Sequence, residues 1–268
     1  MPEFGDCMRI LITGYKGFIG QNMVESLSDH DLSLYEWGDA GYSLHNIDQV
    51  IHLGAISSTA CMDIEKLRIQ NIQFSIDLID ACLERHIPIQ VSSSASVYGL
   101  ENTTFEETDK PDPIIPYSYS KFAVENHYFI NILNSPVQFF RYFNVYGKYE
   151  DHKGSQASPY HQFRKQATET GEIRLFEGSK GFYRDFVPVE KVIEVHKAFF
   201  DISKSGIWNV GTGKIKSFDE VAREIATETN AKIIEIPMPE NLKSGYQKYT
   251  KANMNKTNNE LSISREYK

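Results

Sequence analysis

Arg9-Ile10-Leu11-Ile12-Thr13-Gly14-Tyr15-Lys16-Gly17-Phe18-Ile19-Gly20 is the stretch on which the fold of this chain turns. Its first five residues have the short apolar run of a buried parallel strand, and the residues after Gly20, Asn22 to Leu27, continue as a helix. Between them lie three glycines. Strand, glycine turn and helix in that order bring backbone N–H groups and a helix N-terminus to one point, where a pyrophosphate is stabilised. The spacing is G-x-x-G-x-x-G, not G-x-G-x-x-G. A second strand, Leu32 to Tyr35, ends at Glu36, about 20 residues past the turn, where an acid can accept from a ribose 2′-hydroxyl. Lys16, inside the turn, would instead meet a 2′-phosphate, so the two residues point to different dinucleotides.

The rest of the chain is consistent with a soluble α/β protein. At 268 residues it can hold one domain with a smaller lobe, and a net charge of −8 argues against a nucleic-acid partner. Cys7, Cys61 and Cys82 form neither a disulfide framework nor a zinc pattern. Apolar runs of membrane-spanning length and a signal-like N-terminus are both lacking, so no membrane partner and a cytoplasmic location are expected.

Val50-Ile51-His52-Leu53-Gly54-Ala55 follows Glu36 after only about a dozen residues. His52 reads as a packed residue beneath the next turn. A helical run from Asp63 to Arg85 precedes a strand from Ile87 that ends in Ser92-Ser93-Ser94. Open α/β sheets place their ligands at such strand ends. Beyond the turn-rich run Lys110 to Pro116, Tyr117-Ser118-Tyr119-Ser120-Lys121 opens an amphipathic helix. Tyr117 and Lys121, four apart, share a helix face, and a nearby cation would draw the phenol down from its reference pKa of about 10.

Thr13-Gly14-x-x-Gly17-Phe18-Ile19-Gly20 resembles the fingerprint of the extended short-chain dehydrogenase/reductase superfamily, and Ser94, Tyr117 and Lys121 resemble its active site. Such a resemblance implies a Rossmann-type doubly wound parallel sheet with a small C-terminal substrate lobe, the sheet trimmed by one β-α unit because the superfamily usually has another helix and strand between Glu36 and Val50. It further implies cofactor contacts from Gly14, Gly17, Phe18, Ile19, Gly20, Glu36, Trp37, Leu53, Gly54, Ala55, Ile56, Ser57, Asn71, Lys121 and Val145. In its chemistry the tyrosine takes a hydroxyl proton while hydride leaves, the serine orients the substrate and the lysine holds the ribose. Ala95 and Ser96 stand where related 4,6-dehydratases carry acidic residues, and the cysteine of related keto-sugar epimerase/reductases is also lacking.

Arg141-Tyr142-Phe143-Asn144-Val145-Tyr146-Gly147, His152-Lys153-Gly154-Ser155-Gln156-Ala157-Ser158, Leu175-Phe176-Glu177-Gly178-Ser179, Arg184-Asp185-Phe186-Val187, Asn209-Val210-Gly211-Thr212-Gly213 and Leu242-Lys243-x-x-Tyr246-Gln247 resemble the ADP-L-glycero-D-manno-heptose 6-epimerases of that superfamily. The likeness implies an isomerase of lipopolysaccharide-precursor metabolism that inverts C6 of an ADP-heptose on bound NADP, with NAD as the alternative and Lys153 as a second acid/base beside Tyr117. It also implies nucleotide-sugar contacts from Ser94, Asn144, Ser155, His161, Phe176, Glu177, Gly178, Ser179, Arg184 and Tyr246. A guanidinium suits Arg184 to diphosphate oxygens, although a salt bridge to Asp185 would occupy it equally well. The Rossmann part is expected at 8–147, with 187–213 returning to it, and the substrate lobe at 148–186 and 214–268. That lobe should hold a helix over Phe218 to Thr227 and a strand over Lys232 to Ile236. Asn253 to Lys268 is polar and poorly periodic where those enzymes end in an apolar helix, and a homo-oligomer is expected. The alternatives are another nucleotide-sugar 4-epimerase or keto-sugar reductase, and a cofactor-binding homologue without turnover.

Overall fold

The chain, as a computed structural model, is described at residues 7–54, 56–101, 103–128, 135–240 and 247–266. Six strands, β1 (Arg9–Thr13), β2 (Asp31–Tyr35), β3 (Gln49–His52), β4 (Ile89–Ser94), β6 (Val137–Tyr142) and β11 (Gly206–Val210), form a parallel sheet in the order β11-β6-β4-β3-β1-β2. Ile10, Leu11, Ile12, Val50 and Ile51 are fully buried, as expected of a sheet covered on both faces. Strand order reverses between β1 and β3, which opens a crevice at their carboxyl ends. The expected trim is present: β2 is an edge strand, and residues 36–48 pass from it to β3 without helix or strand.

Eight shorter strands pair in twos: β5 (Thr103–Phe105) with β14 (Thr250–Ala252), β7 (Asn144–Tyr146) with β10 (Phe186–Pro188), β8 (Glu172–Phe176) with β13 (Lys232–Ile236), and β9 (Tyr183–Arg184) with β12 (Lys216–Ser217). The helices are α1 (Phe18–Ser26), α2 (Ile64–Leu67), α3 (Phe74–Glu84), α4 (Pro116–Tyr128), α5 (Pro159–Thr170), α6 (Val189–Ala198), α7 (Phe218–Thr229) and α8 (Asn255–Glu266). Tyr160, Phe163 and Ala167 of α5 and Val221, Ala222 and Ile225 of α7 bury against Ile173 and Leu175 of β8. Ser217 and Glu220 close a capping box at the start of α7, satisfying two backbone N–H groups that the helix leaves unpaired.

Two sequence expectations are corrected. The run from Asp63 to Arg85 is not one α-helix: Arg68–Gln73 between α2 and α3 is π-helical, a form concentrated at functional sites. The polar tail forms a helix after all. β11 is the other edge of the sheet, and α8 takes up its carbonyls, with Lys256 Nζ donating to Ile207 O at 2.8 Å and Thr257 Oγ1 to Asn209 O at 2.7 Å. A helix that docks through polar groups on an edge strand carries little apolar periodicity.

Candidate functional site

The glycine turn is closed backbone against backbone. Gly14 has φ +75°, and a Cβ there would lie 2.5 Å from Gly54 Cα, while one on Gly20 would collide with Gly14 O. Gly14 N–H donates to Tyr35 O at 2.9 Å and Gly17 N–H to Gly14 O at 3.1 Å, which seats the turn on β2. Gly17 is the N-cap of α1 and brings no side chain to it, so the positive end of the helix stays accessible. These features fit a dinucleotide pyrophosphate. A continuous groove leads away from the turn, since Phe18, Ile19, Leu53, Ser57 and Lys153 line both the half beside the glycines and the half beside Tyr117.

At the β2 end of the groove, Glu36 accepts from Lys16 N–H at 3.2 Å and from Trp37 N–H at 3.1 Å, which fixes its carboxylate at the mouth. Lys16 turns its ammonium to Asp39, 3.9 Å away, and so is directed toward an acid. Trp37 meets Phe74 edge-on at 5.6 Å, and Phe74 stacks on Tyr35 at 5.5 Å. This aromatic wall, with Gln70, lines the pocket beside Glu36.

Leu53 and Gly54 run along the groove and Ser57 is exposed in it, whereas Ala55 lies outside the described residues. Asn71 lies beneath the groove instead of on it. It is 1% exposed, accepts from Ile56 N–H at 2.8 Å, and donates to Ile56 O at 3.0 Å and Ser120 Oγ at 2.9 Å. It therefore pins the Ile56 backbone to α4. His52 is the packed residue expected, bridging Thr13 Oγ1 at 2.6 Å and Ser75 Oγ at 2.8 Å, with burial and then Lys121 lowering its pKa to about 3.

Tyr117, Lys121, Ser94 and Lys153 all line the other half of the groove. Lys121 Nζ donates to Ser92 O at 2.8 Å and approaches Ser92 Oγ at 3.3 Å, and burial brings its pKa down to about 8 against an opposing pull from Glu125. The expected fall in the Tyr117 pKa is reversed. Burial raises it and outweighs the lowering from a hydrogen bond with Ser94.

Lys153, in the turn Asp151–Gln156, holds its ammonium 3.5 Å from Glu150 and 4.9 Å from the Phe18 ring centre. Glu150 is fully buried and accepts from Gly147 N–H at 3.1 Å, Ser158 N–H at 2.6 Å and Ser158 Oγ at 2.7 Å, so it braces the loop that presents Lys153. Val145 lines the same groove beside Phe143.

The other expected sugar contacts are spread over neighbouring loops. Asn144 is exposed at the start of β7, with its N–H on Asp185 O at 3.1 Å. Ser155 is exposed in the Lys153 turn, and His161 of α5 lies 3.6 Å from Asp151. Phe176 ends β8, Glu177 and Gly178 are exposed, and Ser179 is buried. Arg184 donates to Tyr183 O at 2.8 Å and Gln247 O at 2.6 Å, with its guanidinium 5.5 Å from the Phe218 ring centre. Asp185 faces elsewhere, accepting from Thr212, Gly213 and Ala252 N–H groups. Tyr246 lies outside the described residues.

Residues that sequence reasoning passed over include Ser92, which anchors Lys121, and Gln70 and Phe74 of the adenosine pocket. The serine run was a signal for the first. For the other two there was none, because a π-helical segment brings them to the groove.

Comparison with known proteins places this geometry. The family described as "NAD dependent epimerase/dehydratase family" matches residues 36–211. Among solved structures, ADP-L-glycero-D-manno-heptose-6-epimerase of Helicobacter pylori superposes with a TM-score of 0.82 at 24% identity, over 98% of this chain and 93% of that one. UDP-N-acetylglucosamine 4-epimerase of Methanobrevibacter ruminantium gives 0.83 at 21% identity, over 96% and 92%. UDP-glucose 4-epimerase of Thermus thermophilus, in complex with NAD, gives 0.79 at 24%, over 94% and 92%.

Proposed function

Because this chain belongs to the NAD dependent epimerase/dehydratase family, we propose that it is a nucleotide-sugar epimerase acting at C6 of an ADP-heptose, with Tyr117 and Lys153 as its two acid/bases. The observation that carries this reading is that Lys153, delivered from the turn after β7, lines the same cleft as Tyr117, delivered from the start of α4. Inverting a carbinol carbon calls for proton transfer on both of its faces, and two groups from different elements can serve one face each.

The bound nicotinamide supplies the hydride acceptor and donor. What the chain supplies is placement and proton transfer. Gly14, Gly17 and Gly20 hold the pyrophosphate at the α1 N-terminus, and Glu36 accepts from the adenosine ribose. Lys121 holds the nicotinamide ribose, and Ser94 orients the hydroxyl that Tyr117 deprotonates. Lys153 exchanges the proton on the second face, while the lobe at 148–186 and 214–268 holds the sugar nucleotide. We assign NAD in place of the NADP that the resemblance implied, because Glu36 lines the pocket at the β2 end of the groove and Asp39 lies 3.9 Å from the ammonium of Lys16 in the glycine turn.

The test is proton NMR of the purified protein with ADP-D-glycero-D-manno-heptose, in parallel with UDP-glucose, with and without added NAD. The C6 epimer is expected. Interconversion of the UDP-hexose at C4 without C6 inversion would overturn the substrate assignment, and silence toward both in folded, NAD-loaded protein would favour a binding role.

A further inference from the structure

Glu125 lies on α4 one turn beyond Lys121 and two beyond Tyr117, and is 2% exposed. Arg141 grips its carboxylate with two prongs, Nε at 3.0 Å and Nη2 at 2.6 Å, while Ser93 Oγ donates to it at 2.5 Å. Ser93 and Arg141 are register partners on β4 and β6. Ser93 stands between Ser92, which receives Lys121, and Ser94, which hydrogen-bonds Tyr117. The network continues to β11: the Arg141 guanidinium lies 4.6 Å from the Tyr98 ring centre, and Tyr98 Oη donates to Asn209 Oδ1 at 2.6 Å.

Stability alone gives little reason for such a pair, since apolar residues of similar volume generally do as well as a buried salt bridge. Arg141 Nη1 has no hydrogen-bond partner, so the arrangement does not satisfy even its own donors. What it does provide is a directional attachment of one helix to one strand end. We propose that Glu125 is a positioning residue: held by Arg141 and Ser93, it fixes the register of α4 on β4 so that Tyr117 meets Ser94 and Lys121 meets Ser92. This rests on the acid/base role assigned above to Tyr117 and Lys121.

Burial raises the Tyr117 pKa and its hydrogen bond with Ser94 lowers it, while Lys121 on its own helix, Tyr142 on β6 and Lys153 across the cleft stand around it. If α4 shifts on β4, Tyr117 leaves Ser94 and loses the hydrogen bond that lowers its pKa, so the phenol titrates higher. The experiment follows phenolate absorbance near 295 nm in NAD-loaded protein, each variant being subtracted from the same variant carrying Tyr117→Phe. Glu125→Leu/Arg141→Met removes both charges together, and Ser93→Ala removes only the hydroxyl. The double variant is expected to titrate about one pH unit higher, and Ser93→Ala in the same direction by less. A folded, NAD-binding double variant that titrates as the parent does would overturn the proposal. If the double variant does not fold, an unshifted Ser93→Ala overturns it and a shifted one supports it. Undiminished turnover in Tyr117→Phe would instead sink the acid/base reading, a result separable from the titration.

Discussion

Gly20→Ala tests the cofactor cradle most directly, because its Cβ meets only backbone. It would land on Gly14 O, 2.7 Å from Tyr15 Cα and 2.9 Å from Gly14 C. Carbon atoms at rest lie about 3.5–4.0 Å apart, so α1 must draw back from the turn by roughly 1 Å, and no rotamer change relieves the clash. Overpacking of this kind costs about 1–3 kcal/mol of stability. A retreating α1 also carries its N-terminal charge away from the pyrophosphate, an interaction of about 0.3–1 kcal/mol, and up to about 2 when partly buried. The overpacking lowers stability and the lost charge interaction lowers affinity, so at this partly buried turn NAD binding should weaken by about 2 kcal/mol, or roughly 30-fold in Kd. The assay is intrinsic fluorescence: of the two tryptophans Trp208 is fully buried, whereas Trp37 stands at the adenosine pocket and reports the ligand. Gly181→Ala is the control, since its Cβ meets nothing within 4 Å. An NAD affinity within threefold of the parent in folded Gly20→Ala would refute the argument that this close approach forms the cradle.

Tyr117→Phe and Lys153→Ala should each lower epimerisation at least a hundredfold while leaving NAD affinity within about threefold, by NMR turnover and fluorescence titration, because proton transfer of this kind contributes about 10²–10⁴-fold. Glu36→Gln/Asp39→Asn should swing the ratio of NADP to NAD affinity toward NADP by at least tenfold, since it removes two carboxylates at the mouth and releases Lys16; an unmoved ratio would count against the NAD assignment. His52 and His196 are buried neutral, each with its pKa brought from 6.5 to about 3 by burial. The unfolded chain takes up those protons below pH 6.5 and the native chain does not, so their contribution is complete above pH 6.5 and lost as pH falls toward 3. Between pH 6.5 and 5 the loss is about 1.6 kcal/mol per histidine, or about 3 in total, and urea midpoints at the two pH values measure it.

The sequence determined the elements whose signals are local. The apolar run before Gly14, the glycine spacing, the hydroxyl-rich end of β4 and the Tyr117–Lys121 pair are each set within a few residues by strand burial, backbone freedom or helical periodicity. The short segment between Glu36 and β3 likewise fixed the trimmed edge. Tertiary structure decided what depends on environment. The Tyr117 phenol rises in pKa because the packed fold buries it, which outweighs its hydrogen bond with Ser94, and Lys121 finds its partner in Ser92, 29 residues away in sequence but in reach in space. Asn71 moved from ligand contact to loop anchor because a π-helical segment aims it at Ile56. The polar tail became a helix because an edge strand offered it carbonyls. In each of these the sequence named the side chain, and packing at long range chose its partner, because hydrogen bonds and desolvation act on neighbours in space, whatever their separation along the chain.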